Sequence, residues 1–290
     1  MANVNVFCFL ISYAVAFVLE WTRLFRLTTM GRAVILLFAG AGFVTHTIYL
    51  LVRSDQTDLP PILSSPHDWV LVSAWLAIVL YILLTIFNRE LAIGLFLLPL
   101  VLILIGSAYW VSDEPNALLD DPVMRQEAIR GWLDVHVSSW VFGITGVIAG
   151  FVLSMMYLVQ HRSLKHKQSL QSDLSLPNLE KLARLNMWAV IGSVPLLFLG
   201  MGTGVYLGFL FKGQRPITFS DPIVIVNGVV LLLMVVFLIW LLRPGRPAGK
   251  RVAWLTIWAF GFLLLTLIGM QVLTGGGPFS LETGHRFIGS

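Results

Sequence analysis

Runs of about twenty mostly apolar residues recur along nearly the whole chain, and that is the length an α-helix needs to cross the hydrocarbon of a bilayer. Eight such runs are legible: Asn3–Trp21, Ala33–Val52, Trp69–Phe87, Leu91–Val111, Trp132–Gln160, Met187–Phe211, Pro222–Leu242 and Val252–Leu273. The fifth exceeds what a bilayer requires and is expected to project or tilt. Hydrophobic residues make up 57% of the chain and charged residues 12%, against roughly a quarter charged in soluble domains. With a mean hydropathy of +0.86, a soluble core is excluded. The expected fold is all-α: a polytopic membrane helix bundle of about eight transmembrane helices, forming one domain over residues 1–290.

The charges sit between the apolar runs. A net charge of +4 would suit nucleic acid, but topology explains it better. The first, third, fifth and seventh connections carry three, one, five and four Lys or Arg residues, which is thirteen of the nineteen. By the positive-inside rule these loops face the cytoplasm, and both termini are extracytoplasmic. Arg23 and Arg26 follow the first run rather than precede it, the reverse of a signal peptide, so that run is expected to stay as a helix. Trp69, Trp110, Trp132, Trp188 and Trp254 fall near span ends, where amphipathic rings favour the interface. Within the basic fifth connection, Pro177–Asn186 places Leu179, Leu182 and Leu185 three residues apart, which predicts a short interfacial helix leading into span six.

An ionisable side chain at membrane depth is costly without a partner, so each histidine in or beside a span is a functional candidate. His46 lies inside span two, in Gly42-Phe-Val-Thr-His-Thr-Ile-Tyr-Leu-Leu-Val-Arg53. An imidazole in an apolar helix wall is a common axial ligand of haem iron. The plain alternative is a core histidine bonded to a carbonyl or hydroxyl of a neighbouring helix, and both readings stand. His136 opens span five, four residues from both Trp132 and Trp140, so the three form one helical stripe. That stripe would suit a flat aromatic cofactor, or the indoles are interfacial anchors. His285, beside Arg286 near the carboxyl end, pairs an imidazole for iron with a guanidinium for a propionate, or belongs to a loose tail. His161 and His166 lie among basic residues and read as surface charge.

Other features carry little chemistry. The single cysteine, Cys8, permits no internal disulfide and no zinc spacing. Gly143, Gly146 and Gly150, and Gly200, Gly202 and Gly204, lie within apolar runs with no preceding strand, which points to close helix packing rather than a nucleotide loop. Glu20 with Arg23 reads as an interfacial ion pair, and Arg89–Glu90 punctuates a tight turn. There is no catalytic triad, paired carboxylate site or phosphate-binding motif.

Several stretches in order resemble the cytochrome c assembly family, which includes the CcsA-type haem-handling component and its HemX-like relatives. Thr45–Arg53 is similar to the family's transmembrane-histidine helix. Leu133–Val137 with Gly150–Gln160 is similar to the helix bearing its first external histidine, and Leu179–Asn186 with Gly200–Gly204 to the next helix. Gly284–Phe287 corresponds to the second external histidine. Two departures stand out. The family's tryptophan-rich external loop is represented by Phe211-Lys-Gly-Gln-Arg-Pro-Ile-Thr-Phe-Ser-Asp-Pro222, without tryptophan, and Phe237–Arg243 lacks a second intramembrane histidine.

The resemblance implies haem delivery in cytochrome c biogenesis at the outer face of the cytoplasmic membrane. His46, His136 and His285 would be ligands of a b-type haem, framed by Trp132 and Trp140. An apocytochrome c and a membrane partner of the assembly system are implied. The chain supplies no nucleophile, so it would bind and orient haem and not act as an enzyme by itself. Two other functions remain open. A HemX-like regulator of haem biosynthesis would use the basic Ser163–Asn186 segment as its contact. A transporter or structural subunit is disfavoured, in its ion-coupled form, by scarce intramembrane charge.

Overall fold

The structure is a computed structural model, and it describes residues 5–22, 29–57, 61–87, 93–111, 113, 127–165, 178–210, 222–243 and 249–274. Among them every regular element is helical: α1 (Val6–Thr22), α2 (Thr29–Thr57), the one-turn α3 (Pro61–Ser64), α4 (Pro66–Phe87), α5 (Gly94–Ala108), α6 (Glu127–Lys165), α7 (Leu179–Leu210), α8 (Pro222–Leu242) and α9 (Gly249–Thr274). The eight longer helices coincide with the eight predicted spans. Among the described residues five helices are long and apolar enough to cross a membrane, and α1 and α5 are shorter apolar helices. The chain is a multi-pass membrane protein. Large apolar side chains such as Leu37, Phe87, Phe142, Leu232 and Trp258 are exposed on helix surfaces, as lipid-facing walls require.

Two helix groups pack side by side. In the first, α1 packs on α2 and α5, and α4 on α2 and α5; in the second, α6 packs on α7 and α9, and α8 on α7 and α9. Contacts of α6 with α4 and α5, and of α9 with α5, join them. The α6–α7 pair is the most closely packed because glycines let the backbones approach. A Cβ on Gly143 would fall 2.8 Å from Leu197, and one on Gly146 would fall 2.8 Å from Ser193. One on Gly150 would strike Phe260 of α9 at 2.6 Å. In α1, Phe9, Tyr13, Ala16 and Glu20 recur every three or four residues and form its buried face.

Helix ends follow local chemistry. Ser65 caps α4, accepting the Asp68 N–H at 3.1 Å, with Pro66 at the first helical position. Asn178 caps α7 by accepting the Lys181 N–H at 2.8 Å. From there α7 runs unbroken to Leu210, so the predicted interfacial helix is instead the first turns of the spanning helix. Leu182 is buried while Leu185 stays exposed, because the apolar stripe of those turns already faces the bundle. At 39 residues α6 is about 58 Å long, well beyond the hydrocarbon core.

Candidate functional site

His46 sits four residues after Gly42 on α2, and both meet α1. Gly42 leaves a notch for the Tyr13 ring, since a Cβ there would lie 2.5 Å from Tyr13 Cε1. Tyr13 Oη is 3.3 Å from His46 Nδ1. Phe9, one turn earlier on α1, lies flat against the imidazole with ring centroids 4.1 Å apart and planes 3° from parallel. His46 is fully buried, and its Nε2 has no hydrogen-bond partner. The Leu71 main chain of α4 faces the ring but falls outside hydrogen-bond geometry. Thr45 and Thr47 bond their own helix at Ala41 and Phe43, and Thr47 also accepts the Trp75 indole N–H at 2.9 Å.

His136 is differently served. Its Nδ1 lies 2.6 Å from the Gly200 carbonyl of α7, with Thr203 Oγ1 at 3.4 Å. A carbonyl only accepts, so Nδ1 carries the proton and Nε2 keeps its lone pair. The ring rests on Gly204, where a Cβ would strike Cε1 at 2.6 Å. The predicted stripe exists and is turned onto α7. Trp132 meets Tyr206 with ring centroids 5.0 Å apart, and Trp140 covers Gly200. Trp132 remains 43% exposed, one turn before His136 on the same face of α6.

A third histidine, His67, lies in the first turn of α4, just before the third predicted span. Its Nδ1 donates to the Ala108 carbonyl at 2.9 Å, and its Nε2 faces Tyr49 Oη at 3.3 Å. Beside it Asp68 is wholly buried, held by Arg53 Nε at 3.2 Å and by the Ser64 hydroxyl at 2.6 Å. Arg53 also donates to the Asp113 carbonyl at 2.8 Å. At the other end of α1 the buried Glu20 accepts a 2.8 Å bond from Tyr81, against Gly94. Arg23, Arg89, His166, the Phe211–Asp221 loop and His285 lie outside the described residues.

His46 takes its partners, Tyr13 and Phe9, from α1, and His136 takes its partners from α7; in the described contacts they share none. Among the described residues no three His, Cys, Asp or Glu side chains gather as a metal-ligand set. Both candidates are single imidazoles, the manner in which haem iron is held axially. His136 fits such a role well: one nitrogen is anchored to a carbonyl and the other is open, the usual second-shell arrangement of a ligating histidine. His46 supplies an unsatisfied nitrogen, but its ring is enclosed, so a porphyrin reaches Nε2 only if neighbouring side chains give way.

A bundle of spanning helices carrying single, anchored imidazoles defines the class: a polytopic membrane protein with candidate cofactor ligands. Residues 63–276 match the family described as cytochrome C assembly protein, and the chain belongs to that family. Membership places it in cytochrome c biogenesis and links it to haem handling. The matched segment contains His136 and His67 and leaves out His46 and His285. No curated protein and no solved structure gives a significant match.

Proposed function

We propose that the chain binds haem b and delivers it toward an apocytochrome c at the outer face of the cytoplasmic membrane. The observation that carries this reading is His136: a neutral imidazole whose Nδ1–H is fixed on the Gly200 carbonyl, leaving Nε2 to coordinate iron. His46 is the membrane-depth ligand, and His285 a further external one. Trp132 and Trp140 border the porphyrin. Haem itself is the group to be attached, and the chain's residues bind and orient it. An outward orientation of both termini follows from the Lys and Arg distribution. A membrane partner of the assembly system completes the machinery.

The test is the absorption spectrum of the chain purified in detergent from haem-replete cells. A Soret band is expected, lost or strongly reduced in His136→Ala and in His46→Ala. A colourless wild-type protein overturns the reading. One observation favours a second function, a regulator of haem biosynthesis: the Phe211–Pro222 segment has no tryptophan for a haem platform. Crosslinking from Ser163–Asn186 would then capture a soluble enzyme of haem synthesis, and deletion would alter precursor levels while cytochromes c still mature.

A further inference from the structure

Two polar atoms inside the second helix group are buried without a hydrogen-bond partner: Ser154 Oγ on α6 and Asn186 Oδ1 on α7. Helix register brings them to one level. α6 and α7 run antiparallel, with Gly143 against Leu197, Gly146 against Ser193 and Gly150 against Ala189. One turn further along the same face, Ser154 comes opposite Asn186. Against α9, Gly150 meets Phe260 and Tyr157 meets Gly249, so these helices are antiparallel too, and Ser154 comes level with Thr256. Three helices that pack on one another thus each bring a buried polar side chain to a common junction. We propose that this junction is a binding site for a single water molecule, held between Ser154, Asn186 and Thr256.

The donors and acceptors define the guest. Thr256 Oγ1 gives its proton to the Val252 carbonyl at 2.9 Å, so toward Asn186, 3.2 Å away, it can only accept. The Asn186 atom facing it is therefore the amide nitrogen, and Oδ1, which only accepts, points elsewhere. Ser154 forgoes the bond to its own helix that Thr145 makes on the Val141 carbonyl in α6. A water accepts the Ser154 O–H, donates one proton to Oδ1 and gives the other to the second lone pair of Thr256 Oγ1. Those are three bonds, the usual number for a buried water. The neighbouring side chains are small, with Gly150 on α6, Ala189 on α7 and Ala253 on α9, and the Phe260 ring shuts the junction one turn further along. Such an enclosure suits one water and not a larger solute. Polar atoms left unpaired in a membrane bundle are costly, and Ser, Thr and Asn there ordinarily bond across helices. The water turns two orphaned atoms into one bridge from α6 to α7 and α9.

The test uses the full chain in detergent and two readouts. X-ray radiolysis turns bound water into hydroxyl radicals that oxidise only adjacent side chains, and the fully buried Phe260 ring, one turn from Thr256, is the reporter. Wild type should take up oxygen at Phe260, and Ser154→Ala combined with Asn186→Leu should lose most of that label. The second readout is the sign of a melting shift. With a water bridge, Ser154→Ala removes one of its bonds and lowers the melting temperature by a few degrees. In the Asn186→Leu background the same substitution should cost less, because the bridge is already broken. Were Ser154 Oγ simply an orphan, its removal would relieve a buried unsatisfied group, and the melting temperature would hold or rise. An unlabelled Phe260 in wild type, or a Ser154→Ala variant at least as stable as wild type, overturns the proposal.

Discussion

Three buried or half-buried histidines separate by how many ring nitrogens are satisfied. His67 has both engaged, by Ala108 and Tyr49, so it is a fastening between α4, α5 and α2. His136 and His46 each have one engaged, which leaves a nitrogen for something else. His67→Ala should therefore lower stability by about 2 kcal/mol, the worth of two buried hydrogen bonds, without touching a Soret band. Melting in detergent and the absorption spectrum together check it. Next to His67, Arg53→Met should cost about 3 kcal/mol because it strands the wholly buried Asp68 carboxylate. Arg53→Met with Asp68→Asn should recover most of that loss, since the charge disappears with its partner. Equal melting of the single and double variants would show the pair to be idle. The histidines were legible as sequence, but their partners were not. Tyr13 is 33 residues from His46, and Gly200 is 64 from His136. A lone tyrosine in an apolar run carries no sign of what it faces.

Among elements, what reads directly from sequence is what hydrocarbon enforces. Each spanning helix must hide its own backbone polar groups, so its length is written as an apolar run. All eight longer helices were legible on that ground. The α7 start was not, because a proline and a leucine stripe look alike before a separate interfacial helix and before an extended spanning one. Five of the six glycines expected to pack do so, Gly143, Gly146, Gly150, Gly200 and Gly204, and Gly202 does not. Gly204 supports His136, whereas Gly202 faces open space with nothing within 4 Å of a Cβ. The two therefore predict opposite outcomes for one methyl group. Gly202→Ala should gain up to about 1 kcal/mol from helix propensity alone. Gly204→Ala gains the same propensity but drives a Cβ into Cε1, so the imidazole leaves the Gly200 carbonyl and hemin binding falls. Circular dichroism should show equal helix content for both, with haem lost only in Gly204→Ala. Loss in both would mean that α7 responds as a whole and that the His136 seat is not special.

At the scale of the molecule, the two helix groups each hold one candidate imidazole, and among the described residues contacts of α6 with α4 and α5, and of α9 with α5, tie them together. Which end of this bundle faces outward decides whether His136 opens toward an apocytochrome or away from it. The basic residues argue for one answer, since thirteen of nineteen lie in alternate connections. Two described, exposed positions sit at opposite ends of the alternation: Asp113, beyond α5, and Lys165, at the end of α6. In a Cys8→Ala background, a membrane-impermeant maleimide applied to intact cells should label Asp113→Cys, and it should reach Lys165→Cys only after permeabilisation. Trp132 and His136 begin α6, one helix length from Lys165, so the same experiment fixes their side of the membrane. The reverse labelling pattern would put His136 on the cytoplasmic face. Haem bound there could be received or sensed but not offered to an apocytochrome outside, and the regulatory function would become the better account of the fold.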